Sequence, residues 1–160
     1  MWLDLASITI EPATLADDAD LAKLHGSAFA RGWDESDFAG YIANTDCLCL
    51  VARRTGPFGS QGLLGLVIFR KTIDEVELLS IAVTKSRRGQ GIGRRLLEDG
   101  LRQLYGGGAN SVFLEVAETD PVATSLYRSV GFREISRREG YYREADGSTL
   151  AALVMKLDLR

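Results

Sequence analysis

The sequence predicts an α/β protein with one mixed, mostly antiparallel and twisted sheet that carries helices on both faces. Three observations lead to this fold class. Short apolar segments with the alternation of strands outnumber the amphipathic helical segments. The early strands follow one another closely, as antiparallel neighbours do. A strand–helix–strand unit over residues 76–117 then requires one parallel pair.

The first half of the chain is predicted to contain a strand, two helices and two further strands. Thr14 can cap the first helix, and Asp34 or Ser36 can cap the second. Gly, Pro and Ser accumulate between the last two strands and predict a loop there. The predicted ranges are residues 7–11, 15–29, 34–42, 46–53 and 62–70, with the loop at 55–61.

The second half alternates strands with helices. Gly106-Gly107-Gly108 marks the end of one helix, and Asp120 followed by Pro121 is typical of the start of the next. The overall order is therefore β-α-α-β-β-β-α-β-α-β-β. The predicted strands are residues 76–83, 111–117, 132–138 and 150–157, the predicted helices are residues 93–105 and 121–131, and residues 139–148 are a polar loop.

Length and composition are typical of one globular domain, and we expect residues 1–160 to form it. The net charge of −3 argues against broad binding to nucleic acid or membrane. No apolar run approaches the ~18 residues of a membrane span, and residues 1–5 lack a signal-like pattern. We therefore expect a cytoplasmic protein, a monomer or homodimer, with no nucleic-acid or membrane partner.

The two cysteines are predicted to be buried free thiols rather than a disulfide or a metal site. Cys47 and Cys49 are two positions apart in a predicted strand, a spacing that would strain a disulfide. A metal would need further ligands, and the single histidine, His25, is distant in sequence. We expect no metal.

The chain is organised around residues 76–105, which are predicted to form a strand, a glycine-rich turn and a helix. Gly89, Gly91 and Gly93 allow a ligand to approach the backbone closely. The first N–H groups of the helix have no helical partner and lie at the positive end of its dipole, which favours phosphate. The turn also concentrates basic side chains, namely Lys85, Arg87, Arg88, Arg94 and Arg95.

Two common nucleotide motifs do not fit this turn. It lacks the Gly-Lys-Ser/Thr ending of a Walker loop, and its third glycine has the wrong spacing for a dinucleotide fingerprint. The run Arg88-Gly89-Gln90-Gly91-Ile92-Gly93 instead resembles the Arg/Gln-x-x-Gly-x-Gly/Ala signature of the GNAT superfamily of acetyl-CoA-dependent N-acetyltransferases. The predicted element order is also that of the GNAT fold.

The resemblance implies a binding site for acetyl-CoA as co-substrate. In the family, backbone amides of this turn bind the pyrophosphate, and the preceding strand pairs with the pantetheine arm. Carried over to matching positions, the cofactor-binding residues are Ile81, Ala82, Val83, Arg88, Gly89, Gln90, Gly91, Ile92, Gly93 and Arg94, with Asp120 as a further candidate.

Acetyl transfer to an amine requires a neutral amine and benefits from a proton donor to the departing thiolate. Glu115 is the candidate base, because it is a carboxylate within an otherwise apolar strand and burial would raise its pKa toward that of a useful base. The alternative is a glutamate at the edge of the sheet whose side chain reaches water. Tyr127, in the following helix, is the candidate proton donor or a core tyrosine. Glu77 is the rival base, because other GNAT branches place their carboxylate on this strand.

A second resemblance concerns the branch of ribosomal-protein alanine N-acetyltransferases, the RimI type. It reads Leu-Glu-Val, then Asn-x-x-Ala-x-x-Leu-Tyr, then Gly-Phe, and this chain has Leu114-Glu115-Val116, Ala123, Leu126-Tyr127 and Gly131-Phe132. The resemblance implies that Glu115 is the general base and Tyr127 the general acid. The family asparagine is Asp120 here, so an amide contact from that position to coenzyme A is not expected.

Two further segments resemble the loops that flank the acceptor in related enzymes. They contain Trp33, between Phe29 and Phe38, and Tyr141 with Tyr142. We therefore predict direct acetyl transfer to an amine, the α-amine of a protein N-terminus and by resemblance that of a small-subunit ribosomal protein. A GNAT enzyme for a small amine, such as a polyamine, amino acid or antibiotic, and a non-catalytic acyl-CoA-binding module are the alternatives.

Overall fold

A computed structural model describes residues 7–57 and 59–160 of the chain. Residues 1–5, for which no signal-like pattern was expected, and Phe58 of the predicted loop lie outside the described residues. None of the described helices is long and apolar enough to cross a membrane.

The predicted order of eleven main elements is confirmed. Two short 3₁₀ turns, Leu15–Asp17 and Lys85–Arg87, precede the first and third helices. The elements are β1 (Ile8–Pro12), α1 (Asp18–Ala28), α2 (Glu35–Ala43), β2 (Cys47–Gly56), β3 (Gly59–Lys71), β4 (Val76–Val83), α3 (Ile92–Gly106), β5 (Ser111–Ala117), α4 (Pro121–Val130), β6 (Arg133–Arg143) and β7 (Thr149–Asp158).

One mixed sheet joins these strands in the order β1-β2-β3-β4-β5-β7-β6. The pair β4–β5 is parallel and the other neighbours are antiparallel, as the strand–helix–strand unit predicts. Helices α1 and α2 cover one face through Leu21, Leu24 and Phe38. The other face packs against α3 and α4 through side chains such as Leu97 and Tyr127. The predicted fold class is confirmed.

Local capping signals set the helix boundaries. Asp34 and Asp37 form a reciprocal capping box at the start of α2. Asp120 caps α4 by accepting a hydrogen bond from the Ala123 N–H at 3.1 Å, and Pro121 follows it. Gly131 ends α4 with a φ of 117°, a left-handed conformation that glycine adopts without strain.

The predicted loops at 55–61 and 139–148 are wrong in extent. Within the first, Thr55 pairs with Ser60 and Gly56 with Gly59, so both strands continue almost to the turn. In the second, β6 continues to Arg143. Cross-strand hydrogen bonds hold these turn-prone residues in strands, because strand propensity is weak relative to pairing. Tyr141 and Tyr142 consequently lie on a strand rather than in a loop.

Candidate active site

Strands β4 and β5 form a V-shaped opening in the sheet. Within the described register they pair at only two positions, Val76 with Val112 and Glu77 with Phe113. Beyond these pairs β4 continues along β3, and β5 continues along β7. The facing edges of residues 78–83 and 114–117 therefore leave backbone N–H and C=O groups for a ligand. An extended ligand can bind there as an added strand does.

A β-bulge lies where this opening begins. Ile68 pairs with Ser80 and Phe69 with Leu78, so Leu79 is the extra residue on β4. Leu79 packs in the core beneath α1 and α2, and the next residue, Ser80, faces the same side, with its hydroxyl 3.0 Å from Nε2 of His25 on α1. The bulge thus reverses the alternation of side chains and turns Ser80 toward α1. It also takes one backbone N–H of β4 out of the ladder with β3.

The glycine-rich turn follows the open end of β4. Gly89 and Gly91 have φ values of 77° and 82°, so both occupy the left-handed region that side chains disfavour. A Cβ at either position would meet no atom within 4 Å, so backbone conformation rather than space requires these glycines. The Arg88 side chain donates to the Val83 carbonyl at 3.2 Å and closes the turn.

The start of α3 has the properties of an anion site. The helix is 15 residues long, and no acidic side chain lies in its first turn. Gln90 has a buried side-chain oxygen without a hydrogen-bond partner, an unusual state for a buried polar atom. This oxygen is an acceptor, so the donors that suit a phosphate are the first backbone N–H groups of α3, which have no helical partner. Arg94 is already bonded to Glu98 at 2.7 Å and to Ser129 at 3.0 Å.

Glu115 lies on β5 at the level of the bulge. Two residues beyond the Glu77–Phe113 pair, the strands carry Leu79 and Glu115. The Glu115 carboxylate accepts a hydrogen bond from Arg138 at 2.7 Å, and 27% of its side chain is exposed. It is therefore neither the fully buried carboxylate nor the freely solvated edge residue that the sequence left open.

Arg138 links Glu115 to two tyrosines. Its guanidinium lies 4.8 Å from the centre of the Tyr141 ring, which contacts Tyr142 edge-on at 5.0 Å. Burial, then the charge of Glu115, raises the pKa of Tyr142. The fold thus brings together residues from β5 and β6 that are distant in sequence. Arg138 begins the segment with Tyr141 and Tyr142 that resembles an acceptor-flanking loop, but its contact with Glu115 was not predicted, because the spacing along the chain does not reveal the register across β7.

Glu77 occupies a different place from Glu115. It lies at the closed end of the V, in the second and last of the β4–β5 pairs. Its carboxylate accepts a hydrogen bond from Arg70 at 3.1 Å, and 28% of its side chain is exposed. Both candidate bases are thus paired with arginine, so ion pairing does not separate them, but Glu115 alone belongs to the cluster with Tyr141 and Tyr142.

Tyr127 projects from α4 into the core below the sheet. It is 5% exposed and packs against Phe132, with ring centres 5.8 Å apart. Burial, and to a lesser degree the charge of Asp120, raises its pKa well above 10, so the phenol stays protonated at neutral pH. Among the described residues its hydroxyl has no hydrogen-bond partner. No group among those residues therefore competes for this proton, and Tyr127 stays the predicted proton donor.

Trp33 lies between α1 and α2 and packs against the core on the sheet face that these helices cover. Its ring stacks on His25 with centres 4.4 Å apart and contacts Tyr41 at 4.9 Å. It is half-buried and so contributes both to the core and to the surface. His25 and Ser80, which join this region to β4, were not predicted as site residues.

The two cysteines lie away from the opening between β4 and β5. Cys47 and Cys49 are free thiols on β2, and β3 separates that strand from β4. Burial raises the pKa of Cys49 to about 12 and keeps it protonated. Among the described residues, no group of three His, Cys, Asp or Glu side chains is arranged to hold a metal ion.

Comparison with known families agrees with this geometry. The model of the acetyltransferase (GNAT) family matches residues 18–132. The chain belongs to the GNAT family. Family membership confirms the expected enzyme class, an acetyltransferase with acetyl-CoA as acyl donor.

Similar proteins include two bacterial N-acetyltransferases. The chain is 34% identical over 146 residues to the N-alpha-acetyltransferase RimI of Mycobacterium tuberculosis, a match that covers 89% of each protein. It is 35% identical over 97 residues to the [ribosomal protein bS18]-alanine N-acetyltransferase of Escherichia coli K12, which covers 61% of this GNAT chain and 65% of that enzyme.

Solved structures show the same fold. The crystal structure of the ribosomal-protein-S18-alanine N-acetyltransferase from Escherichia coli superposes with a TM-score of 0.84 at 30% identity, over 95% of this chain and 94% of that one. Arabidopsis thaliana NAA60 in complex with acetyl-CoA has a TM-score of 0.81 at 20% identity, over 94% and 98% of the two chains. The predicted resemblance to the GNAT family and its RimI branch is confirmed.

Proposed function

We propose that this GNAT enzyme acetylates the N-terminal α-amine of a protein, with an alanine-initiated small-subunit ribosomal protein as acceptor. The observation that carries the proposal is the position of Glu115, Tyr141 and Tyr142 together at one side of the V, level with the β4 bulge. The similarity to enzymes named for alanine of ribosomal protein bS18 supports the choice of acceptor.

Acetyl-CoA would bind along the free edge of β4, with its pyrophosphate at the start of α3. The backbone N–H groups of residues 88–93 suit that anionic group, because they lie at the positive end of the α3 dipole. Ile81, Ala82 and Val83 would contact the pantetheine arm through the backbone edge that β5 leaves unpaired. The thioester then lies near Leu79, where the bulge frees a backbone N–H that can stabilise the developing oxyanion.

Glu115 would accept the proton of the acceptor amine, directly or through one water. Arg138 orients its carboxylate through the 2.7 Å hydrogen bond. Trp33 on one side and Tyr141 and Tyr142 on the other would flank the first residues of the acceptor. The neutral amine attacks the thioester carbonyl, and the carbon–sulfur bond breaks as the amide forms.

Tyr127 would donate its proton to the departing thiolate. Its raised pKa keeps the proton on the phenol until the sulfur accepts it. Transfer would be direct within a ternary complex, because the cysteines are poor nucleophiles for a covalent route. Cys49 is protonated at neutral pH, and its strand is separated from β4 by β3.

A panel of acceptors tests the proposed function. Alanine-initiated peptides, the same peptides with blocked N-termini, and free amines such as spermidine would be compared by release of the coenzyme A thiol. We expect kcat/KM to be highest for the unblocked peptides and to vanish on N-terminal blocking. A preference for free amines would refute the proposal, and mass spectrometry of N-termini in cells with and without the protein would identify the acceptor.

The cellular setting follows from this acceptor. A ribosomal acceptor places the enzyme in the cytoplasm, and we expect a monomer or homodimer that contacts neither nucleic acid nor membrane. The seven-stranded sheet joins β1 to β7 within one layer, which supports a single domain.

A further inference from the structure

His25 is buried between the two regions that the reaction must bring together. It is 3% exposed on α1, and its ring is enclosed by Phe29, Trp33 and Phe38 at centre distances of 4.4, 4.4 and 5.6 Å. It is the only histidine of the chain. No step proposed above uses it.

Both ring nitrogens of His25 are hydrogen-bonded, and the partners determine the tautomer. Nδ1 lies 3.0 Å from the backbone N of Trp33, which can only donate, so Nδ1 is the acceptor. The proton of the neutral ring therefore lies on Nε2, which donates to the Ser80 hydroxyl oxygen at 3.0 Å. Burial lowers the pKa of His25, while the charge of Asp37 acts in the opposite direction, and this favours the neutral ring.

Each partner of His25 belongs to a different part of the site. Ser80 directly follows the β4 bulge, at the start of the free edge where acetyl-CoA would bind. Trp33 lies in residues 29–34, which we name the acceptor loop. Two hydrogen bonds to one imidazole ring thus connect the acceptor loop to β4.

The acceptor loop is also pressed against α1 next to His25. A Cβ on Gly32 would lie 2.6 Å from the Gly26 Cα, closer than any real contact, so the two backbones touch there. This close packing leaves the loop little freedom to move independently of His25.

We propose that His25 is a positioning residue that couples β4, where acetyl-CoA would bind, to the acceptor loop. It holds Trp33 at a fixed distance from the β4 bulge, so that an acceptor amine is positioned to attack the carbonyl carbon of the thioester. The inference rests on the proposed function, since it assumes that the acceptor loop contacts the acceptor.

A kinetic cycle tests the coupling. Ser80→Ala removes the acceptor for Nε2, and His25→Asn keeps an acceptor for the Trp33 N–H but is too short to reach Ser80. We expect each variant to raise the KM of an alanine-initiated peptide by about tenfold, within the usual range of coupling between sites, with kcat nearly unchanged. Because both break the same hydrogen bond, the double variant should be no worse than His25→Asn alone, which also removes the ring that stacks on Trp33.

The matched control is Ser111→Ala, which removes another buried hydroxyl, at the beginning of β5 and outside the two hydrogen bonds of His25. Its peptide KM should remain that of the unaltered protein. A normal peptide KM in Ser80→Ala, or effects that multiply in the double variant, would overturn the inference.

A second measurement needs no acceptor. In a Trp2→Phe background Trp33 is the sole tryptophan, and its stacking on His25 should make its emission respond to saturating acetyl-CoA. Ser80→Ala should abolish the response while calorimetry still detects acetyl-CoA binding. A response that persists in Ser80→Ala, or is absent from the parent, contradicts the coupling.

The kinetic and the emission measurements distinguish failure of the proposed function from failure of the coupling through His25. If the unaltered protein acetylates no peptide N-terminus, the proposed function fails, and the emission experiment still decides the role of His25.

Discussion

Removal of one oxygen atom at Tyr127 provides the sharpest test of the chemistry. Tyr127→Phe leaves the ring in its packing against Phe132 and removes only the hydroxyl, which has no protein hydrogen-bond partner among the described residues. Folding should therefore be almost unaffected, with a melting temperature within about 3 °C, since no internal hydrogen bond is lost. Acetyl-CoA binding should also persist.

The catalytic effect should be much larger than the structural one. General acid catalysis contributes roughly 10² to 10⁴ in rate, so we expect kcat to fall at least about 100-fold. That loss corresponds to about 2.7 kcal/mol in the activation free energy. The dissociation constant of acetyl-CoA should change by less than about twofold, because the interaction forms only as the thiolate departs.

The assay follows thiol release from acetyl-CoA with a saturating acceptor, and calorimetry gives the affinity for acetyl-CoA. Tyr105→Phe is the control, because this tyrosine is half-exposed on α3, stacks with Arg160 and lies outside the opening. An unchanged kcat in Tyr127→Phe would remove the phenol from the mechanism. A large loss of acetyl-CoA affinity would instead identify Tyr127 as a binding residue.

Three further predictions follow from the same geometry. Glu115→Gln should lower kcat by about 100-fold, as expected for loss of a general base, whereas Glu77→Gln should change kcat by less than about fivefold. If Glu77→Gln had the larger effect, Glu77 would be the general base. Gly91→Ala forces a side chain into a φ of 82° and should cost about 1–2 kcal/mol of stability, with weaker acetyl-CoA binding by calorimetry; an unchanged melting temperature would contradict the strain. Burial acts to raise the pKa of Asp17, but hydrogen bonds from Arg53 and Thr14 outweigh it and lower the pKa below 3.8. A depressed pKa stabilises the folded state above about pH 4, and this contribution is lost as the pH falls through the pKa of Asp17 in the folded protein. The free energy of unfolding, measured by urea denaturation from pH 6 to 3, should therefore fall less steeply in Arg53→Gln than in the parent. Parallel curves of unfolding free energy against pH would exclude the Asp17–Arg53 ion pair as the cause.

Much of the fold could be predicted because its signals are local. Asp34 and Asp120 cap their helices as predicted, and the glycine-rich turn lies between β4 and α3. The errors concern the hairpin at 55–61 and the end of β6, where residues with turn propensity continue a strand. Hydrogen bonds from a neighbouring strand determine those boundaries, and no local pattern records them.

The candidate site likewise contains residues that the sequence identified and contacts that only the structure shows. The resemblance identified Glu115, Tyr127, Tyr141 and Tyr142, and the structure brings the first and the last two together. The contact between Arg138 and Glu115 was not predicted, because it depends on the register of β6 and β5 on either side of β7. The roles of all these residues remain predictions.

The sequence by itself determined the order of elements, the glycine-rich turn and the family, since each depends on residues close together in the chain. Only the tertiary structure decided that β4 and β5 part after two pairs, that a bulge turns Ser80 toward His25, and that both candidate carboxylates face arginines. The physical reason is that register, bulges and ion pairs arise from contacts between distant segments. Their energies depend on the packed sheet as a whole, and no single stretch of sequence encodes them.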